Sequence, residues 1–360
     1  MRNIEKNILW LDMFETLGYN KKIKLLEIAG ENTDLRKIFL QNSEIQASLT
    51  QEEFNKMKIS LDEKILDNRI KEYDLSGVEY ITLYSESYPP LLKEIPAPPL
   101  CLYCKGNSQL LNTFCIAVVG TRHPTDYGVV VTKQFVKDLS KVDVTIVSGL
   151  ATGIDTVAHK TALEEMGKTI AVIAGGIKYI YPATNLALAN KMIESNLIVS
   201  EYNPFVRPQT YYFPARNRII AGLSKGVLLP EAGEKSGALH TINDAIDTNR
   251  EIFVIPGKIT SPMSAGTNKL AKDYRTSVAL SAKDILSAFN IGLKKDKQKP
   301  TIQLDMTVQL VLNYISTEKH TFQEIADYSK LKAQELNTIL LELEMNGLVT
   351  KFGNNSYIAS

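Results

Sequence analysis

Three aromatic side chains run directly into two arginines in Tyr211-Tyr212-Phe213-Pro214-Ala215-Arg216-Asn217-Arg218. Rings that stack on bases and guanidinium groups that hold phosphates are what a binder of unpaired nucleic acid needs, and each stacked base contributes ~1–3 kcal/mol. Residues i and i+2 of a helix point in different directions, so one of Arg216 and Arg218 can face outward and the other inward. A plainer reading stays open beside this one, in which Phe213 belongs to the core and one arginine pairs with an internal carboxylate, Glu201 or Glu231.

Two glycine-rich turns offer places for an anion. Gly120-Thr121-Arg122-His123-Pro124 follows the apolar stretch 114–119, and Ser148-Gly149-Leu150-Ala151-Thr152-Gly153-Ile154-Asp155 follows 144–147. Glycine lets backbone N–H groups approach a ligand closely, and a following helix amino terminus favours negative charge. Neither turn is a nucleotide fingerprint: no G-x-G-x-x-G follows the first strand, and Ile154-Asp155 stands where a P-loop needs Lys and Ser/Thr. Asp155 suits the first turn of a helix. Ser236-Gly237 is either a phosphate cradle or a cap. The histidines at 123, 159, 240 and 320 form no H-x-x-x-H or H-x-H pair, and no nucleophile has a base beside it in sequence. Cys101-x-x-Cys104 lacks a second Cys/His pair at zinc spacing and reads as small hydrophobes on a short strand, so no metal is expected.

The elements that must position these residues follow from hydrophobic rhythm. The first eighty residues repeat at helical spacing, with Gly18 and Gly30 as stops, and predict a helical domain over 1–84. From residue 114 six β runs, at 114–119, 144–147, 169–173, 197–200, 226–229 and 251–255, alternate with amphipathic helices. That alternation predicts an α/β fold with a doubly wound, mostly parallel sheet over 85–290, its βα turns along one edge. Residues 291–303 form a Lys-rich linker. The stretch 304–360 has three helical patterns and two strands flanking Gly353-Asn354-Asn355, which predicts a winged helix.

The net charge of the 360 residues is only +1, and what matters is where the charge sits. Residues 1–110 hold 14 basic and 17 acidic side chains, 111–290 hold 19 and 15, 291–303 hold 4 and 1, and 304–360 hold 4 and 7. The middle of the chain and its linker therefore carry the positive charge. The predicted recognition helix of the winged helix, 333–346, contains Glu335, Glu342 and Glu344 and no Lys or Arg. A helix of that sign is repelled by a phosphate backbone, so a protein-contact or packing role is expected for 304–360. No apolar run reaches membrane length, the amino terminus lacks a signal-peptide core, and three cysteines without an export signal fit the reducing cytoplasm.

Taken in order and spacing, these motifs resemble the DprA/Smf family: Val119-Gly120-Thr121-Arg122, Ser148-Gly149-Leu150-Ala151-Thr152-Gly153-Ile154-Asp155, Tyr181-Pro182-x-x-Asn185, Phe213-Pro214-x-Arg216-Asn217-Arg218 and Pro256-Gly257. The resemblance implies a Rossmann-like domain between a helical SAM-like domain and a winged helix. It implies binding of single-stranded DNA and loading of a RecA-type recombinase during natural transformation, as a homodimer, with no known catalytic activity and no cofactor. On the matching positions, Arg122 would contact phosphate beside Gly120, and the Ser148-Gly149 turn would donate N–H groups. Phe213 would stack a base, and Arg216 and Arg218 would line or support the pocket. Lys178 stands where the family prefers Asp and adds a candidate phosphate contact. Asn268-x-Leu270-Ala271-x-x-Tyr274-Arg275 departs from the family pattern in the region through which relatives dimerise and meet RecA. The competing class is an enzyme, a LOG-like nucleotide-processing protein. Its P-G-G-x-G-T-x-x-E motif is only loosely echoed by Pro230-Glu231-Ala232-Gly233-Glu234-Lys235-Ser236-Gly237.

Overall fold

The computed structural model describes residues 1–292, 305–316, 318–353 and 355–359. The chain divides into two units at residues 292 and 293, each treated by itself. The expected linker lies, from residue 293 on, outside the described residues.

The first unit is built on a nine-stranded sheet: β1 (Glu79–Thr82), β2 (Cys101–Gly106), β3 (Cys115–Val118), β4 (Thr145–Ser148), β5 (Thr169–Val172), β6 (Leu197–Ser200), β7 (Gly226–Leu229), β8 (Glu251–Val254) and β9 (Ser277–Val278). The order is β1-β2-β6-β5-β4-β3-β7-β8-β9. The run from β6 to β9 is parallel, while β1 and β2 pair antiparallel at one edge. The six predicted β runs are the six strands β3–β8, within a residue or two. Each is short and apolar because both its faces are covered. Ala117, Val147, Ile170, Val199 and Val227 bury against Ile219, Leu223 and Ile242 on one face. Ile116, Ile146, Leu228 and Phe253 bury against Phe135, Leu139 and Ile154 on the other. Strands β4, β5 and β6 step away from β3 in one direction, and β7 and β8 lie on its other side, so the order reverses between β3 and β7. In open α/β sheets the crevice at such a reversal is where ligands bind.

The first seventy-eight residues are helical as expected, with capping chemistry at several starts. Thr50 and Glu53 form a capping box, and Asn42 and Asp62 accept backbone N–H groups of the turns they open. The expected boundary at residue 84 falls after β1, which already belongs to the sheet. The helical core, centred on Trp10, Phe39 and Tyr73, also runs without a break into Cys101 and Tyr103 of β2 and Ile198 of β6. Two antiparallel edge strands thus weld the helices to the sheet.

The second unit has helices at Met306–Tyr314, Phe322–Ser329 and Ala333–Met345 and a sheet of β10 (His320–Thr321), β11 (Val349–Phe352) and β12 (Ser356–Ala359) in the order β10-β12-β11. Val311, Ile325, Leu336, Leu340 and Leu343 fill its core. Glu335, Glu342 and Glu344 are exposed on the last helix, as the sequence pattern requires of the winged helix. Asn354, in the predicted hairpin turn, lies outside the described residues.

One polar residue within the first unit ties stability to pH. His159 is fully buried, with Nδ1 2.7 Å from Thr169 Oγ1. That hydroxyl spends its own proton on Ile146 O at 2.8 Å, so the imidazole must donate from Nδ1. Nε2 has no partner and could not place a second proton. Burial, reinforced by the Arg216 charge, drives the group down to about 3 from 6.5. The unfolded chain therefore binds this proton below 6.5 while the native state refuses it, and stability falls as pH drops from 6.5 toward 3. A His159→Leu variant, compared with the parent by thermal melts across that interval, is expected to lose stability less steeply.

Candidate nucleic-acid interface

At the reversal between β3 and β7 the surface opens into a cavity of about 980 Å³. Its walls come from the turn after β3, the helix Tyr212–Leu223, the turn after β7 and residues 262–265. The turns interlock through backbone bonds. Thr121 N–H donates to Glu231 O at 2.9 Å, and Ile154 N–H donates to Thr121 O at 3.1 Å. Gly153 begins the helix Ile154–Glu164 at φ +80, and a Cβ there would stand 2.3 Å from Thr121 O. Only glycine lets the two turns close on each other. Asn185 completes the frame, its Nδ2 donating to Leu150 O at 2.9 Å and to Thr156 Oγ1 at 2.8 Å. The Tyr181-Pro182-x-x-Asn185 motif is thereby a brace for the turn after β4.

Four of the eight expected residues line this cavity: Gly120, Arg122, Phe213 and Arg216. Arg122 is exposed, and its guanidinium carbon stands 5.9 Å from the centre of the Phe213 ring. Tyr181, also exposed, meets the same ring edge-on at 5.5 Å. Arg216 is buried. Its Nη1 donates to Gly149 O at 2.7 Å and also to Val172 O, so it fixes the helix to the ends of β4 and β5. Burial pulls its pKa down to about 10 against the opposing field of Asp155.

The other four lie elsewhere. Ser148 is fully buried with its hydroxyl donating to Val118 O at 2.7 Å, across β3 and β4. The Gly149 N–H expected to meet a phosphate donates instead to Asp155 Oδ2 at 3.1 Å, with Ala151 N–H on the same oxygen at 3.3 Å. That turn is satisfied from within, because a carboxylate occupies the position an anion would take. Burial raises the Asp155 carboxyl, with Arg216 pulling the other way. Arg218 points to the opposite flank of the helix, where it pairs with Glu201 and lines a separate cavity of about 340 Å³ with Tyr202 and Tyr212. The i, i+2 divergence and the Glu201 pairing both follow the sequence reading. Lys178 sits outside the cavity, its Nζ 4.0 Å from the centre of the Phe205 ring.

The turn after β7 contributes Lys235, Ser236, Gly237 and His240, of which only Ser236-Gly237 stood out in the sequence. Lys235 is exposed and, among the described residues, pairs with no carboxylate. Glu234 beside it is matched with Lys269 at 3.7 Å. The cavity thus offers the half-buried Phe213 ring beside the exposed Tyr181, two cations that pair with no carboxylate among the described residues, and a floor of backbone. Two carboxylates near it are engaged in structure: Asp155 holds the turn after β4, and Glu231 accepts from Thr125 N–H at 2.8 Å and Thr125 Oγ1 at 2.7 Å. Such a site can stack a base and hold phosphates.

Comparison with known proteins bears on most of the chain. The family model of DNA recombination-mediator protein A matches residues 79–290, and that of the DprA winged helix domain matches 295–353. DNA processing protein DprA of Bacillus subtilis is 42% identical over 214 residues, 59% of this chain and 72% of the relative. DprA of Streptococcus pneumoniae is 36% identical over 267 residues, 74% of this chain and 92% of the relative. The X-ray structure of the Streptococcus pneumoniae protein superposes with a TM-score of 0.69 at 33% identity, covering 80% of this chain and 98% of that one. The structure of DNA processing protein A from Helicobacter pylori, whose study concerns its single-stranded DNA binding mode, gives 0.54 at 31% identity, covering 59% and 96%.

The two cavity arginines differ in what removing them should do to folding. Arg216→Ala leaves two buried carbonyls without their donor and the Asp155 carboxyl without a neighbouring positive charge, and is expected to cost about 3–5 kcal/mol by urea denaturation. Arg122→Ala is expected to stay within about 0.5 kcal/mol of the parent in the same measurement.

Proposed function

The chain belongs to the family of DNA recombination-mediator protein A, and from that premise we propose that it binds and protects single-stranded DNA and loads a RecA-type recombinase onto it during natural transformation and recombination. The observation that carries the reading is the placement of Arg122 over Phe213 at the mouth of the switch-point cavity. A base stacking on the exposed part of the ring brings its own phosphate within reach of the guanidinium. We read the protein as working by binding rather than by catalysis: Asp155, Glu231 and His159 are each tied to internal partners, and the imidazoles that line the cavity, His123 and His240, are exposed at its rim. For the same reason a LOG-like reaction has little to draw on, since Glu231 is spent on Thr125.

A homodimer acting in the cytoplasm completes the proposal. Cys101, Cys104 and Cys115 are free and buried, as suits a reducing compartment, and among the described residues no helix is long and apolar enough to cross a membrane. Tyr274, Val278 and Leu280 stand exposed around the edge strand β9, an apolar margin suited to a second copy. Tyr274 lies in, and Val278 and Leu280 follow, the segment in which the chain departs from the family pattern.

Fluorescence anisotropy with labelled oligo-dT across a salt series tests the DNA assignment. Arg122→Ala is expected to weaken binding and to reduce the log–log salt slope by about 0.7, one phosphate contact on a single strand. Phe213→Ala is expected to weaken it by ~1–3 kcal/mol with the slope unchanged. Wild-type affinity in both variants would remove the cavity from consideration. Deleting 304–360 is expected to leave affinity within about threefold, because the exposed face of its last helix is acidic; a larger loss would assign that unit a share of the strand.

A further inference from the structure

We propose that the bound strand, on leaving the cavity, continues along a rigid ledge made by the loops after β5 and β6 and ends at the amino-terminal helix Glu63–Leu75. This path rests on the single-strand reading above and extends it to residues that touch no part of the cavity wall.

The ledge repeats the ring-and-cation arrangement of the cavity mouth. Arg207 lies over Tyr179 at 5.2 Å, and the Phe205 ring has Lys178 at 4.0 Å and Arg69 at 4.6 Å from its centre. Engaged by both cations and stacked on Tyr73, the ring serves to aim the cations rather than to receive a base. Lys178 and Arg207 are exposed, and among the described residues neither pairs with a carboxylate; Arg69 shares Glu72 at 3.2 Å. Cations held over rings and left without counter-charges are placed for phosphates.

The ledge joins the cavity and is stiff. Tyr181, on the loop after β5, touches Phe213 inside the cavity. The two loops are tied by Gly176 N–H to Val206 O at 2.8 Å and Lys178 N–H to Pro204 O at 3.2 Å. Phe205 stacks on Tyr73, whose hydroxyl accepts from Asn203 Nδ2 at 2.6 Å, so the loop after β6 is fastened to the helix that carries Arg69. β5 and β6 lie two and three strands from β3 in the sheet, ~10 and ~14 Å at ordinary strand spacing, which sets the direction of travel.

The test compares oligo-dT of about 6 and about 20 nucleotides on the full chain. The double variant Lys178→Ala/Arg207→Ala is expected to bind the long strand about tenfold more weakly, with its salt slope smaller by about 1.4, and the short strand within about twofold of wild type. Arg69→Gln is expected to weaken the long strand alone. Lys178 and Arg207 are exposed and Arg69 is half-buried, and an unchanged melting temperature shows that the variants fold. Wild-type long-strand binding by the double variant, with Arg122→Ala still impaired, overturns the ledge and leaves the cavity standing. Equal losses on both lengths also overturn it, since the cations would then belong to the cavity. If Arg122→Ala too binds like wild type, the single-strand reading itself fails.

Discussion

The binding surface depends on one buried cation. Arg216 reaches from the helix Tyr212–Leu223 to the carbonyls of Gly149, just after β4, and Val172, at the end of β5, and feels the Asp155 carboxylate. A planar guanidinium with several fixed donors can satisfy two carbonyls from different strands at once, which an ammonium does poorly. The consequence is positional. The helix must lie across the sheet with its first turn at the reversal point, and Phe213 then faces Arg122. A Cβ on Gly149 would stand 2.5 Å from the guanidinium, so the turn after β4 has glycine where the arginine arrives.

The charges involved are not there for stability alone. Burial raises the carboxyl of Asp155 and lowers Arg216, each against the pull of the other. Both shifts say that desolvation exceeds mutual attraction, which is common for buried ions. An apolar substitute of similar volume could pack the space but could not bond to open carbonyls or to the N–H groups of Gly149 and Ala151. The polar network is the means by which three βα turns and one helix acquire a single arrangement.

Much of this was legible in the sequence because it lives in local patterns. Both faces of the central strands are buried, so Val/Ile runs mark them; glycines and prolines mark the turns; and Arg216 and Arg218, two apart, had to diverge. β9 escaped notice because Ser277-Val278 is two exposed residues long and makes no apolar run. β1 was absorbed into the helical stretch because Glu79–Thr82 pairs only at an edge and shows burial on only part of its length. The donors expected at Ser148 and Gly149 failed for a different reason. Sequence shows that a turn has free N–H groups, but it does not show that Asp155, six residues on, folds back to take them. Lys235 was invisible as a site residue because only the strand order brings the turn after β7 against the turn after β3.

The nearly neutral total charge also becomes intelligible once pairs are assigned. Acidic residues are spent locally on cations that hold structure: Asp34 on Arg36, Glu53 on Lys21, Glu201 on Arg218, Glu94 on Arg250, Asp143 on Lys168. Among the cations that no such pair takes up are Arg122, Lys235, Lys178 and Arg207, which lie along the carboxyl edge of one sheet. A strand of phosphates responds to that local field, since exposed charges farther off than about 8–10 Å are largely screened. The winged helix obeys the same logic with the opposite sign, because Glu335, Glu342 and Glu344 are exposed on its last helix without a basic residue among them. Placement of uncompensated charge, rather than its total, separates the surface proposed to hold a strand from the acidic face of the last helix.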